Sequence, residues 1–285
     1  MIPRVLIVAG SDSGGGAGIQ ADIKTVTMLG GHAMTAITAV TAQNSKGVSE
    51  VHTIPTTTVM AQVEAVASDL GVDAVKVGMI GSAETAHALA DWLGRVDFSV
   101  VFDPVMIASS GAVLADADTI SAFERLMAVA TVTTPNAAEL SALSGLPVGD
   151  VAQAETAAKL LSERHNTAIL AKGGHLDATF NGVPVVRDTL VTPGGTESWS
   201  AGRIDTRHSH GTGCTLASGI ATGLAAGLHL IPAITRARAY LRAALKAAPG
   251  LGEGHGPMGH VLGGVPFEVM RDSPSPGSIL HPRSG

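Results

Sequence analysis

The chain is short of several things. Among its 285 residues there is one cysteine, aromatic residues make up 3%, and charged residues make up 15%. A single cysteine excludes an intramolecular disulfide framework and any zinc site built from several thiolates. So few charges, against roughly a quarter in typical domains, combine with 35 glycines and 45% hydrophobic residues. That composition points to a tightly packed Ala/Val/Gly interior rather than to disorder. The net charge of −6 argues against a nucleic-acid or anionic-membrane surface. Long apolar runs are missing too: Gly219 to Ile234 is interrupted by Thr222, several polar or glycine positions and Pro232, short of the roughly 18 residues a membrane span needs. Residues 1–9 are too short for a signal peptide's apolar core and cleavage region and read as a buried strand. The expectation is a soluble cytoplasmic protein with neither membrane nor nucleic acid as partner.

What is present is alternation. Short apolar runs at Val5–Ala9, Ala36–Val40, Ala74–Gly78, Ser99–Phe102, Val132–Thr134 and Ala168–Ala171 read as strands. Helical patterns fall at Ile19–Leu29, Thr58–Leu70, Ala83–Leu93, Thr119–Ala130, Ala137–Leu143, Val151–Arg164, Cys214–Leu228 and Ile231–Ala248. In the second of these, Val59, Val63, Val66 and Leu70 share one stripe. Residues 180–207 read as a short antiparallel region turned by Asn181-Gly182. The pattern predicts an α/β fold, a largely parallel sheet covered by helices on both faces. No repeat or linker divides it, so one domain is expected over residues 1–265, followed by a flexible Pro-, Ser- and Gly-rich tail over 266–285.

Five motifs carry chemistry. Ala9-Gly10-Ser11-Asp12-Ser13-Gly14-Gly15-Gly16-Ala17-Gly18 follows a strand and opens a helix, where ligands meet the carboxyl edge of a sheet. It is not a P-loop, since no Gly-Lys-Ser/Thr follows, and G-x-G-x-x-G spacing fails at Ile19. So many glycines cost much chain entropy, which favours a ligand lying against bare backbone over a mere turn. Thr41-Ala42-Gln43-Asn44 ends a strand in amides; a carboxamide donates and accepts, suiting a heterocycle with a ring nitrogen beside an amino group, although a simple turn fits equally well. Asp103, at the end of a strand, and the pair Asn136 and Glu139 are hard oxygen ligands suited to Mg²⁺. The Asn136–Glu139 spacing equally fits a helix-capping pair. Lys172-Gly173-Gly174-His175 puts a lysine at a strand terminus, where it could meet phosphate or simply water.

The fifth motif is His210-Gly211-Thr212-Gly213-Cys214-Thr215, with the only cysteine. Glycines leading into a helix expose backbone N–H groups that bind anions, and a thiol held there is expected to ionise readily. His208 and His210 have no accompanying metal-ligand framework.

In this order and spacing the motifs resemble the ribokinase-like superfamily, and within it the hydroxymethylpyrimidine/phosphomethylpyrimidine kinases of thiamine biosynthesis, from about Val5 to His260. The late Gly254-His255-Gly256-Pro257 is similar as well. The resemblance implies a three-layer α/β/α fold, ATP and Mg²⁺ dependence, a homodimer, and two successive phosphorylations of 4-amino-5-hydroxymethyl-2-methylpyrimidine. It implies that Gln43 holds the aminopyrimidine edge, with Gly10, Ala17, Asp22, Met79 and Val105 near the substrate. It gives Asp103 and Glu139 to the metal, Asn136, Lys172 and Thr212 to the nucleotide and phosphates, and Gly211, Thr212, Gly213 and Cys214 to an anion hole with Cys214 as base. His208 departs from the polar Asn usual there, and the tail is extra.

Cys214 is then the base for the alcohol in the first transfer. The second acceptor, a phosphate oxygen already ionised near neutral pH, needs none. The competing readings are a pyridoxine/pyridoxal kinase of the same fold, a non-catalytic pyrimidine-binding protein, and a cysteine hydrolase, the last lacking an orienting acid for its thiol. Ser109-Ser110-Gly111 is the expected lid hinge.

Overall fold

The computed structural model describes residues 1–107, 111, 113–174 and 176–264. Strand β1 (Arg4–Ala9) is apolar from Val5 onward because both its faces are covered. Val5, Ile7 and Ala9 face one helical layer, while Leu6 and Val8 face the other. It is the hinge of a parallel sheet in which β2 (His32–Ile37) lies on one side. On the other side follow β5 (Ala74–Val77), β6 (Ser99–Phe102), β7 (Val132–Thr133) and β8 (Ala168–Ala171). Antiparallel β10 (Val183–Thr192) and β11 (Gly195–Gly202) extend the far edge, and β9 (Ala178–Phe180) pairs with β10. The β9–β10 turn is the Asn181-Gly182 hairpin, with φ of 50° and 78°. Two left-handed residues match the turn to the twist of its strands.

Helices α1 (Gly18–Met28), α7 (Thr212–Ala225) and α8 (Leu230–Lys246) cover the Val5/Ile7 face. Helices α2 (Thr56–Asp69), α3 (Ala83–Leu93), α4 (Ala117–Val129), α5 (Ala137–Ser144) and α6 (Val151–His165) cover the Leu6/Val8 face. The result is the expected three-layer α/β/α architecture. Helices α7 and α8 cross closely because Gly219 and Gly223 lie opposite Ala237 and Ala233; a methyl on either glycine would come within 2.9 and 2.8 Å of those alanine Cβ atoms. The chain leaves β1 toward β2 and later resumes on its other side at β5. The switch point between β1 and β5 is therefore where the carboxyl-end loops diverge and leave a crevice.

Some expectations fail. The expected strand Ala36–Val40 is two strands. Thr38, whose hydroxyl donates to the Met79 carbonyl at 2.6 Å, is where the chain leaves the main sheet. Beyond it, β3 (Ala39–Gln43) pairs with β4 (Val48–Thr53) in a separate antiparallel ribbon. Leu70 lies off the buried stripe of α2 and is 45% exposed. Among the described residues no helix is long and apolar enough to cross a membrane. Ser109, Ser110, His175 and the tail 266–285 lie outside the described residues.

Candidate active site

The carboxyl ends of β1, β5, β6 and β8 open into one cavity of about 1140 Å³, roofed on one side by the β3 ribbon. Gly10, Ala17, Gln43, Met79, Asp103, Val105, Asn136, Glu139, Lys172, Gly211, Thr212, Gly213 and Cys214 all line it. Of the residues that the family resemblance assigns to the site, only Asp22 does not.

At one end the side chains converge on a bare glycine. Lys172 Nζ donates to Asp103 Oδ1 at 2.7 Å and lies 3.8 Å from Glu139 Oε2. Thr134 Oγ1 donates to the same Asp103 oxygen at 3.0 Å, which leaves Oδ2 uncommitted to either. Gly213 faces this pair: a methyl there would lie 3.1 Å from Asp103 Oδ2 and 3.3 Å from Lys172 Nζ. Helix α7 begins at Thr212, and Thr215 is the first residue whose N–H closes onto its turn, at Gly211 O. The amides of Gly213 and Cys214 are therefore free of helical partners and aim, with the helix dipole, at the glycine-made gap. Burial strips Lys172 of water, but the Asp103 and Glu139 carboxylates outweigh that and hold it above the usual lysine range. The capping reading of Asn136–Glu139 is realised, and both residues also line the cavity. The pair forms a complete capping box on α5, with Glu139 N to Asn136 Oδ1 at 3.0 Å and Asn136 N to Glu139 Oε2 at 2.7 Å. Glu139 also faces the cavity. Burial and the Asp103 charge raise its carboxyl to about 7 against the pull of Lys172.

The expectation of a ready thiolate at Cys214 is wrong. The half-buried thiol is pushed up to about 11. Loss of water around the sulfur dominates, the charges of Asp22 and Asp103 add to it, and Lys76 and the Gly18 amide oppose it without prevailing. Helix-terminal amides lower a thiol pKa only where desolvation does not overrule them. Beneath Cys214, Lys76 and Asp22 form a fully buried ion pair, Nζ to Oδ2 2.7 Å, with Ser218 Oγ donating to Asp22 Oδ1 at 2.7 Å. Asp22 does not line the cavity; it pairs with Lys76, which does. Gly78 makes room for the lysine, since a methyl there would come within 2.7 Å of its Nζ.

The first glycine loop also departs from expectation. Asp12, buried, gathers the amides of Gly14, Gly16 and Ala17 at 2.8, 2.9 and 2.8 Å. Gly16 is a glycine because His210 Cδ2 would lie 2.7 Å from a methyl, and Gly18 because a methyl would strike the Gly10 carbonyl. Gly14, Gly15 and Gly16 therefore serve the protein's own packing, and bare backbone meets the cavity only at Gly10 and Gly18. At the other end of the cavity, Gln43 lies beside His210 and Thr41. The Gly254-His255-Gly256-Pro257 segment braces this end: Gly256 O accepts from His210 N at 3.2 Å, and Gly254 N donates to Ser45 Oγ at 3.3 Å.

Sequence reasoning missed Asp12, Lys76, His210 and the pair Asp188–Arg238. Asp188 takes the Gly173 amide at 2.8 Å and Arg238 Nε at 2.7 Å, which ties the Lys172 turn to α8. A lysine inside the apolar run Ala74–Val77 was the readable signal for Lys76, because a buried charge demands a partner. Among the described residues no group of three or more His, Cys, Asp or Glu could hold a metal unaided.

Comparison with known proteins matches residues 12–259 to the family described as phosphomethylpyrimidine kinase. The chain belongs to that family. Over 270 residues it is 47% identical to the hydroxymethylpyrimidine/phosphomethylpyrimidine kinase of Rhizobium meliloti strain 1021, covering 91% of this chain and 97% of that one. Among solved structures it is similar to Bacillus subtilis pyridoxal kinase in an ADP complex, at a TM-score of 0.84 and 32% identity, covering 92% and 98% of the two chains. It is also similar to the phosphomethylpyrimidine kinase of Clostridium difficile 630, at 0.74 and 33%, covering 86% and 99%. The ribokinase-like reading of the fold stands. Within the phosphomethylpyrimidine kinase family, the cavity above is the place where residues of this chain from both sequence halves meet.

Proposed function

We propose that the chain is an ATP-dependent kinase that phosphorylates 4-amino-5-hydroxymethyl-2-methylpyrimidine to its monophosphate and then its diphosphate. The observation that carries this is the division of the cavity. Gly213, Asp103 and Lys172 meet at the α7 N-terminus, where the Gly213 and Cys214 amides lack helical partners, and Gln43 lines the same cavity from the β3 ribbon.

In the first transfer the hydroxymethyl oxygen attacks the γ-phosphorus, a P–O bond to ADP breaks, and the alcohol loses its proton. Lys172 and the Gly213 and Cys214 amides would meet charge on the phosphoryl oxygens, at a fixed place and without reorganisation. Cys214 rests as a thiol, so it serves as proton acceptor only in its minor ionised fraction. Its high pKa makes that fraction a strong base, which suits late proton removal in a loose transition state. The second acceptor arrives ionised and bypasses Cys214.

Mg²⁺ fits the residues present. Asp103 Oδ2 and the Glu139 carboxylate would hold it, with phosphate oxygens and water completing the octahedron that this ion prefers to keep largely hydrated. Bound there it would neutralise phosphate charge. The described residues supply too few ligands to hold it alone, as expected for an ion that arrives with the nucleotide. A homodimeric, cytoplasmic enzyme belongs to the same reading, on the family resemblance.

One observation favours a second reading. The TM-score to the pyridoxal kinase, 0.84, exceeds that to the phosphomethylpyrimidine kinase, 0.74, and pyridoxal is also a hydroxymethyl heteroaromatic alcohol. ATP-dependent turnover of the aminopyrimidine alcohol, its monophosphate and pyridoxal, side by side, decides between them. A kcat/KM for pyridoxal above that for the pyrimidine would overturn the first reading.

A further inference from the structure

Four side chains at the Gln43 end of the cavity have more contacts than they have protons. His210 Nε2 lies 3.0 Å from Asp12 Oδ2 and 3.1 Å from Gln43 Nε2. Thr41 Oγ1 lies 2.8 Å from the Ser11 carbonyl oxygen and 3.3 Å from Gln43 Oε1. Asp12 also accepts three backbone amides. Burial works against its ionisation, but His210 and those amides overcome it and keep the carboxyl below the usual aspartate range. An ionised carboxylate only accepts, so His210 must carry its proton on Nε2 and donate. That nitrogen then has no lone pair for an amide NH₂. The threonine has the same difficulty. Its one proton goes to the Ser11 carbonyl, so it can only accept from Gln43, and a carbonyl oxygen has nothing to give.

Both conflicts vanish together. The oxygen and nitrogen of a carboxamide exchange places on a half-turn of the terminal bond. With its oxygen beside His210 and its NH₂ beside Thr41, Gln43 shares the single Nε2 proton of His210 with Asp12 Oδ2 in a three-centre bond and donates to the threonine. The backbone of Gln43 does not take part in the turn, because its N–H and C=O are both bound to Ser13 Oγ at 2.8 Å.

We propose that Asp12 and His210 are positioning residues that set the polarity of the Gln43 carboxamide and thereby decide which heterocycle edge the pocket accepts. The inference rests on the pyrimidine reading of the site. The oxygen on the His210 side takes an exocyclic amino N–H, and the NH₂ on the Thr41 side gives to a ring nitrogen. A 4-oxo analogue of the same pyrimidine presents the reverse edge, with C=O and ring N–H exchanged for amino group and bare nitrogen. In the intact protein Gln43 cannot turn to meet it.

The test is binding and turnover of the 4-amino and 4-oxo pyrimidine alcohols, with pyridoxal as a third ligand, by the wild-type protein and by His210→Phe, His210→Gln and Thr41→Val. Phenylalanine removes the donor that holds the amide oxygen. The ratio of Kd values for oxo over amino should fall about tenfold, the usual size of one mismatched buried hydrogen bond. Meanwhile kcat at saturating amino substrate should stay within about threefold. Glutamine at 210 places an NH₂ at similar reach and restores the ratio. Thr41→Val unlocks the other end of the amide and lowers the ratio in the same direction, which keeps the test open if His210→Phe does not fold. Equal weakening of both pyrimidines in both unlocking variants, or an unchanged ratio, overturns the positioning role. A wild-type protein that binds pyridoxal and neither pyrimidine overturns the functional reading itself, and the edge selection proposed on it.

Discussion

Because Cys214 is the only cysteine, its chemistry can be read from the whole protein without ambiguity. An ordinary thiol here would titrate at 9.0, and the structure raises it to about 11. Thiolate is the species that reacts with an alkylating agent, and two pKa units are two decades in its population. At mildly alkaline pH, iodoacetamide should therefore modify the folded protein about a hundredfold more slowly than the urea-unfolded chain. The rate should keep rising with pH until about 11. The sign follows from linkage. A group whose folded pKa is raised contributes stability fully present below 9.0 and lost as pH rises through about 11, so strongly alkaline solution should also lower the melting temperature. The assay is the pseudo-first-order alkylation rate against pH, by intact mass, on folded and unfolded protein. An inflection at or below 9.0 in the folded state would refute the reasoning. It would mean that the α7 amides and Lys76 prevail over desolvation and the Asp22 and Asp103 charges.

The same cysteine gives a kinetic split. Cys214→Ala should cost about a hundredfold in kcat on the alcohol, the usual scale of a proton acceptor, and no more than about threefold on the monophosphate; equal losses would remove it from the proton path. Gly213→Ala sets a methyl 3.1 Å from Asp103 Oδ2 and 3.3 Å from Lys172 Nζ, so kcat/KM should fall at least about tenfold with little change in melting temperature. Lys76→Met leaves Asp22 buried without its partner and should cost about 3–5 kcal/mol in denaturant unfolding. Adding Asp22→Asn should return much of that loss, and strict additivity in this double-mutant cycle would argue against the pair. Glu139, raised from 4.5 to about 7 by burial, contributes stability present below 4.5 and lost as pH rises through about 7. Glu139→Gln should flatten that part of the stability–pH curve.

Most of the sheet was legible because its strands are covered twice. Val5–Ala9 and Ala168–Ala171 are continuous in apolar residues, the pattern that burial on both faces produces. The ribbon was not legible for the opposite reason. Strand β4 is exposed along nearly its whole length and has no apolar face to betray it. The joined strand Ala36–Val40 failed at Thr38, where the chain changes sheets without any change in residue character. In the site, the groups that touch ligand space, Gln43, Asp103, Lys172 and Gly213, announce themselves by polarity at strand ends or glycine before a helix.

The supporting groups do not announce themselves, because their roles are relational. Asp12 is an unremarkable loop aspartate until three amides and His210 are brought to it across 198 residues of sequence. Asp22 looks like a helix-surface acid until Lys76 is found beneath it. The glycines of the first loop make the same point in reverse. Read as openings for a ligand, they are mostly clearances for His210, Pro257 and the Gly10 carbonyl. Glycine records that something comes close, and not what. Only the fold says what that neighbour is: Gly16 packs against His210 and Pro257, while Gly213 faces the Asp103–Lys172 pair on the cavity wall. Exchanging the two tests should therefore separate them. Alanine at 16 should lower the melting temperature, through displacement of His210, and it should shift substrate discrimination. Alanine at 213 should leave the fold intact and lower kcat/KM at least about tenfold.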